Sequence, residues 1–391
     1  MRATKLLHKL LGNTIHAKRI QVLGEVVETV LYAKTLSVTG IGRNMMNHAQ
    51  TRSNIRKVDR LLSNPRLQAE CSTLYQAVNR YLLVKTRPTL SIDGSKLPNS
   101  RFYTLRATLQ LQGRGLTVYE TLYTQSETGS QALYQRFLSG LAEVLPAHCK
   151  PILVTDAEFR ASWFRLVIQQ GWDFIGRVRG NKYLALEADG EHYQSINTLF
   201  KRATAKPKAL GQAKLNKQNA IKGQLYLYKA KPKGRHAYTR SGRHSETEKS
   251  LRAARSAAEG WVLFSSLKRS ALKIVKAYQL RMTIEESFRD HKSGRYGLGL
   301  AMTRSRYAQR YQMMLMLAML AAFIAYLLGC VGEMNNVHYQ FQANSTRKHR
   351  VLSRFFLGCN MFYRGYKIIL EEFNQAIALI NDEVALDFSD D

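Results

Sequence analysis

The chain has 391 residues, 45% of them hydrophobic and 10% aromatic, which is apolar area enough for two or three packed domains and excludes a disordered chain. Its 59 Lys and Arg against 28 Asp and Glu leave a formal net charge of +31. That excess goes beyond what solubility needs and points to a polyanionic partner, nucleic acid first and a membrane surface second.

Residues 1–85 read as helices with short connections, because the apolar Ile20, Leu23, Val27, Val30 and Leu31 recur at spacings of three and four. The stretch from Ser37 to Gly42 interrupts the pattern, and a basic helical stretch from Arg43 to Leu62 ends near Asn64-Pro65. With 15 Lys and Arg against 4 acids in residues 1–87, this part is a candidate DNA-binding domain. Ser53, Asn54, Arg56 and Lys57 suit phosphate or base contacts. A solvated basic face explains them equally well, since no sharp helix-turn-helix signature is present.

From Thr89 the period changes to two. Strands are predicted at Thr89–Asp93, Tyr103–Gln112 and Leu116–Tyr123, then a helix over Ser130–Val144. A buried strand, Pro151–Asp156, precedes a helix through Trp163 and Val167 and a strand over Trp172–Val178. This β-β-β-α-β-α-β order, with acids closing the first and fourth strands, is the outline of a ribonuclease-H-like α/β core. Residues 201–276 hold 20 Lys and Arg against 3 acids, with Tyr226, Tyr228 and Tyr238 among them and Pro207 and Pro232 breaking them up. They read as a basic, β-rich insertion with Gly223–Lys229 as one strand, the alternative being a basic linker.

A strand at Trp261–Phe264 leads into the helical stretch Lys276–Lys292. At about 100° per residue, Tyr278, Arg281, Glu285, Arg289 and Lys292 fall within roughly 80° of one another. Alone, that face is a set of i,i+4 ion pairs, Arg281 to Glu285 and Glu285 to Arg289, contributing a few tenths of a kcal/mol each. Glu286 and Asp290 point elsewhere and are treated as solvent-facing or supporting groups. The 16 apolar residues Met313–Leu328 fall short of the roughly 20 that span a bilayer and read as a core helix. From Ile368 onward there are seven acids and no Lys or Arg. A helix at Glu371–Ile380, apolar at Phe373, Ile377 and Ile380, is suited either to a partner subunit or to its own core. Four cysteines, at 71, 149, 330 and 359, lie far apart, which suits buried thiols in a reducing compartment. No secretory leader is expected from the N-terminus.

Phosphodiester hydrolysis and strand transfer use two divalent metals, and hard cations take carboxylate oxygens. Asp93, Asp156 and Glu285 supply three. Adjacent first and fourth strands in a ribonuclease-H-like sheet would let the two aspartates meet.

The spacing Tyr278-x2-Arg281-x3-Glu285-x6-Lys292 resembles the Tyr-Arg-Glu-Lys signature of bacterial insertion-sequence transposases of the insertion-sequence-four family. Lys292-Ser-Gly-Arg-Tyr-Gly-Leu-Gly-Leu300, Ser91-Ile-Asp93, Val154-Thr-Asp156, Gly176-Arg-Val-Arg-Gly180 and Asn54-Ile-Arg-Lys-Val-Asp-Arg-Leu-Leu62 are similar to that family's insertion-sequence-ten branch. The resemblance implies a DDE transposase with a β-strand insertion before the glutamate. It implies that Asp93, Asp156 and Glu285 bind two Mg2+ ions, with Mn2+ as a substitute, while Tyr278, Arg281 and Lys292 hold the DNA backbone near the transposon end. Arg289 is added as a DNA contact, and Trp261 and Met282 take the positions that wedge or receive a displaced base, although each is more often a core residue. The implied reaction is a nick, a hairpin, its resolution and strand transfer.

The layout expected is residues 1–85 as a helical DNA-binding domain, 86–330 as the catalytic domain with an insertion over about 180–260, and 331–391 as a helical region with a dimerisation role. The partners expected are double-stranded DNA with terminal inverted repeats and target DNA, bound by a homodimer on paired ends, in the bacterial cytoplasm on the nucleoid and not at a membrane. A nuclease on the same core without strand transfer, and a non-catalytic DNA-binding regulator, are the alternatives.

Overall fold

The computed structural model describes the chain except residues 1–2, 13, 191, 231–238, 240, 242, 249, 252–253, 255–258, 344, 347–348, 385–387 and 389–391. Tyr238 and Pro232, and residues 385–387 and 389–391 of the acidic tail, therefore lie outside the described residues. In chain order the helices α1 (Ala3–Leu11), α2 (Ala17–Ala33), α3 (Val38–Asn44), α4 (Thr51–Leu62), α5 (Pro65–Ala69) and α6 (Cys71–Leu82) come first. The strands β1 (Thr89–Lys96), β2 (Phe102–Gln110) and β3 (Gly115–Thr124) and the helix α7 (Gln131–Val144) follow. Next are β4 (Ile152–Thr155), α8 (Ala161–Gln169), β5 (Asp173–Val178), β6 (Tyr183–Leu186), β7 (Tyr193–Ser195), α9 (Asn197–Phe200), β8 (Lys208–Leu215), β9 (Ile221–Tyr228), β10 (Trp261–Ser265) and α10 (Ala271–Leu280). Last come α11 (Thr283–Lys292), α12 (Ala308–Met334), α13 (Arg354–Tyr363) and α14 (Leu370–Asp382). The chain divides into two compact units, Met1–Pro151 with Leu280–Asp391, and Ile152–Gln279.

In the first unit β1, β2 and β3 form an antiparallel meander, as the period-two pattern predicts. The helix α12 fills the middle of this unit. It is the one helix among the described residues long and apolar enough to cross a membrane, and 94% of its most apolar window is buried inside the protein. Its neighbour α13 comes close because of glycine: a Cβ on Gly358 would run into the Ala325 carbonyl oxygen, and one on Gly329 into that of Arg354. The helix α14 packs on its own chain. Phe373 and Ile380 are fully buried, Phe373 meets Tyr81 edge-on at 5.5 Å, and Asn381 Nδ2 donates to the Tyr81 carbonyl at 3.0 Å.

The N-terminal helices differ from expectation in one place. The stretch from Ser37 to Gly42, read as an interruption, is mostly the helix α3, capped by the Ser37 hydroxyl accepting from Gly40 N at 3.1 Å. Breaks flank it on both sides, one between Ala33 and Val38, where Lys34 is left-handed, and one between Asn44 and Thr51. Gly42 makes the close crossing possible, since a Cβ there would lie 2.6 Å from Ile55 Cα. Asn47 and Asn54 then tie the turn by exchanging amide hydrogen bonds at 2.9 and 3.1 Å.

In the second unit β4 and β5 are parallel, as a strand-helix-strand crossover through α8 requires, and β5 pairs antiparallel with β10. From there β10, β9, β8, β6 and β7 continue as antiparallel neighbours. The insertion thus extends a sheet, with β9 covering most of the predicted Gly223–Lys229 strand.

Candidate active site

Asp93 lies within β1 and does not end it: the strand continues three residues to Lys96. Its special place comes from burial. Thr89 to Ile92 are buried on both faces, and from Asp93 onward the strand emerges from the core. Asp93 is therefore the first side chain of β1 with access to solvent. Its Oδ1 accepts from the Gly94 amide at 2.8 Å, and a side chain at position 94 would meet the Tyr123 hydroxyl at 2.7 Å.

The predicted helix Lys276–Lys292 is two helices. The Thr283 hydroxyl donates to the Leu280 carbonyl at 2.8 Å, taking an acceptor that a continuous helix would use, and the next bonds tighten to Ile284 N on Arg281 O and Glu285 N on Met282 O. Tyr278 therefore sits on α10, Glu285, Arg289 and Lys292 sit on α11, and Arg281 and Met282 form the joint. The single-helix reading therefore fails at the joint, while the expected pairing of Arg281 with Glu285 is kept across it.

At that joint Arg281 Nη1 donates to Asp93 Oδ2 at 3.0 Å, and Nη2 lies 3.6 Å from Glu285 Oε1. One guanidinium thus spans two of the predicted acids. Arg281 is buried, while the Glu285 side chain is 50% exposed. The Met282 sulfur lies 3.5 Å from the same Nη2. Lys292 Nζ donates to Ser95 Oγ at 2.6 Å and to the Lys96 carbonyl at 2.7 Å, so it holds the emerging end of the strand that carries Asp93. Burial, then the nearby Arg106, pushes the Lys292 ammonium down to about 8, against the opposing pull of Glu120 and Asp93.

Arg289 does not pair with Glu285. It is exposed and pairs with Glu286, which also lies 3.3 Å from Arg114. Asp290 is bound by Arg114 Nε at 2.9 Å. Glu286 and Asp290 thus serve a separate ion-pair cluster, as their rotation from Glu285 implies.

In the second unit Asp156 stands just past β4, its Oδ1 accepting from the Glu158 amide at 2.9 Å. Trp261, half-buried at the start of β10, meets Tyr278 edge-on at 4.9 Å and Tyr228 at 5.4 Å. Tyr228 is directly opposite Trp261 in the β9–β10 register and its hydroxyl accepts from Gln279 at 3.4 Å. Sequence reasoning placed Tyr228 in the insertion but missed its membership of this aromatic cluster; the alternation of Tyr226 and Tyr228 was the available signal.

On α4, Arg56 and Ser53 are exposed. Lys57 pairs with Glu25 on α2, and Asn54 faces inward to Asn47.

The transposase DDE domain family matches residues 83–324, more than half of the chain, and that span includes Asp93, Asp156 and Glu285. The chain belongs to this transposase family. It is a DNA-binding enzyme of the kind that cleaves and transfers nucleic-acid strands. No curated protein matches the chain.

DDE transposases in general use divalent metal ions. Among the described residues no group of three or more His, Cys, Asp or Glu is close enough to hold one. Two of the expected donors have the chemistry such an ion takes. Asp93 and Glu285 offer hard carboxylate oxygens, both are already drawn to one cationic group, and Glu285 is open to solvent.

Proposed function

We propose that this DDE transposase excises an insertion sequence at its terminal inverted repeats and joins it to target DNA by cut-and-paste, as a member of the insertion-sequence-four family in its insertion-sequence-ten-like branch. The observation that carries the reading is Arg281 spanning Asp93 and Glu285, in a chain whose Tyr-Arg-Glu-Lys spacing follows that family. In this reading the catalytic domain is ribonuclease-H-like, residues 1–85 bind DNA with Arg56 and Lys57 among the contacts, and two protomers act on paired ends in the bacterial cytoplasm.

Asp93, Asp156 and Glu285 would hold two Mg2+ ions, which when bound activate the attacking oxygen and stabilise the leaving one. The protein's own groups do the rest. Arg281 and Lys292 set two cations beside Asp93 and its strand, where a phosphate of the transposon end is gripped, and Tyr278 is the further backbone contact that the family resemblance implies. Arg289, exposed on α11, reaches the flanking backbone. Water opens the phosphodiester at the end, and the freed 3′-hydroxyl attacks the opposite strand to form a hairpin. That step requires a base out of the stack, at a cost of a few kcal/mol. Trp261, packed edge-on with Tyr278 and Tyr228, receives the base, and Met282 serves as the wedge.

The test is cleavage of linear DNA carrying the element's terminal repeat, with Mg2+, comparing wild type and Glu285→Ala on a denaturing gel. Nick, hairpin and joined product from wild type, with a variant that binds and does not cut, support the reading. Cleavage without joined product moves the protein to the nucleases, and equal cutting by both removes Glu285 from the chemistry.

A further inference from the structure

Arg106 in β2 is 1% exposed and Glu120 in β3 is 0% exposed, and the register places them directly opposite. Arg106 Nε and Nη2 donate to Glu120 Oε2 at 2.9 and 2.8 Å, and Thr104 Oγ1 adds a third bond to that oxygen at 3.1 Å. The rest of the guanidinium faces α11. Nη1 donates to Ser287 Oγ at 3.2 Å, Nη2 lies 2.8 Å from His291 Nδ1, and the guanidinium carbon is 4.5 Å from the Phe288 ring centre. Burial, then Arg106 and Lys292, hold the His291 imidazole well below its usual range. It is therefore neutral, with Nδ1 accepting from Arg106.

Such a pair is a poor way to gain stability, because apolar residues of similar volume commonly do as well or better. Glu120 Oε1, moreover, has no hydrogen-bond partner among the described residues. What the guanidinium adds is direction. Ser287, Phe288 and His291 lie roughly 200° to 300° around α11 from Glu285, whereas Lys292 lies within about 20° of it. Two donors aimed at Ser287 and His291, one turn apart, fix the helix against rotation and sliding. Ser287 passes the constraint toward the joint, its hydroxyl donating to the Ile284 carbonyl at 2.9 Å.

We propose that Arg106, held in place by Glu120, is a positioning residue of the active site: it sets the rotation of α11 so that Glu285 and Lys292 face the Asp93 end of β1. This rests on the transposase reading above. Arg106 itself is buried, directly opposite Asp93 in the β1–β2 register, and acts here through α11 without a contact to DNA or metal.

The test uses the full-length chain with Arg106→Met and Glu120→Leu combined, which leaves the space filled and removes both charges, and with Arg106→Lys, which keeps the charge without two splayed donors. The double variant is expected to unfold within a few degrees of wild type and to bind end DNA equally. Its cleavage should fall about 10- to 100-fold at limiting Mg2+, the range a small misplacement of catalytic groups produces. The half-activating Mg2+ concentration should rise, Mn2+ binding by calorimetry should weaken, and amide exchange over Thr283–Lys292 should quicken. Arg106→Lys should fall between the two.

A double variant with wild-type Mg2+ dependence, Mn2+ affinity and exchange overturns the proposal. If the double variant does not fold, Ser287→Ala takes its place, removing one rung at almost no change in volume. At wild-type thermal stability it must still raise the half-activating Mg2+ concentration, and an unchanged value overturns the proposal. A wild type that cuts nothing and binds no Mn2+ overturns the proposed function and this inference with it; wild type that cuts while the variants match it overturns this inference alone.

Discussion

Arg281 Nη1 donates to Asp93 Oδ2 at 3.0 Å, joining residues 188 positions apart. The contact puts a guanidinium where the proposed reaction needs both a metal and a phosphate, so its removal is informative. Arg281→Ala leaves the Asp93 carboxylate without that partner and is expected to destabilise the protein by about 1–3 kcal/mol, below the 3–5 kcal/mol typical of a fully buried pair because Asp93 is only half-buried. Millimolar Mg2+ should then raise the melting temperature of the variant more than that of wild type, because a bound cation stabilises the folded state it prefers. Equal Mg2+ responses in thermal unfolding would count against a cation site at Asp93.

Burial pushes the Asp290 carboxyl up to about 6, against the lowering pull of Arg114. With a folded value above the unfolded one, the folded state holds the proton more tightly. The resulting stabilisation is fully present below the unfolded carboxylate value near 3.8 and is lost as pH rises through about 6. Asp290→Asn removes this dependence. Urea titrations between pH 7 and pH 4 should therefore show the stability difference moving in favour of wild type as the solution is acidified. A difference that is flat with pH would contradict the assignment.

Gly358 lies where α13 crosses α12, with no room for a Cβ beside the Ala325 carbonyl. Gly358→Ala has to push the helix backbones apart and is expected to cost about 2 kcal/mol or more, toward the upper part of the overpacking range. Denaturant unfolding measures it directly.

The aromatic cluster of Tyr228, Trp261 and Tyr278 predicts a separable step. Stacking of a base on an aromatic ring is worth about 1–3 kcal/mol, so Trp261→Ala should slow hairpin formation about 5- to 150-fold while nicking at the transposon end stays near wild type. Time courses on a denaturing gel resolve the two products. Parallel loss of both would mean that Trp261 supports the fold of its unit and not the base.

Much of this was legible in the sequence because the signals are local. The meander β1–β3 shows as alternation, and α7, α8 and α12 show as helical or continuous apolar runs. The places where the reading failed are those where a side chain competes with the backbone. Ser37 caps a helix where Val38-Thr-Gly-Ile-Gly42 looked like a break, and Thr283 ends a helix that apolar spacing carried straight through. Arg289 was assigned to Glu285 by rotation alone, but the three-residue spacing to Glu286 won.

By itself the sequence determined the DDE transposase class, the strong net positive charge, and the spacing of the Tyr, Arg, Glu and Lys positions, since residue types at short intervals are written along the chain. Tertiary structure decided which of those groups meet. Arg281 on Asp93, Lys292 on Ser95 and Arg106 on Glu120, Ser287 and His291 join residues far apart in sequence. It also decided that α14 turns its apolar face to Tyr81. Such pairings follow from how whole elements pack and which buried polar groups then find partners, and no local period encodes that.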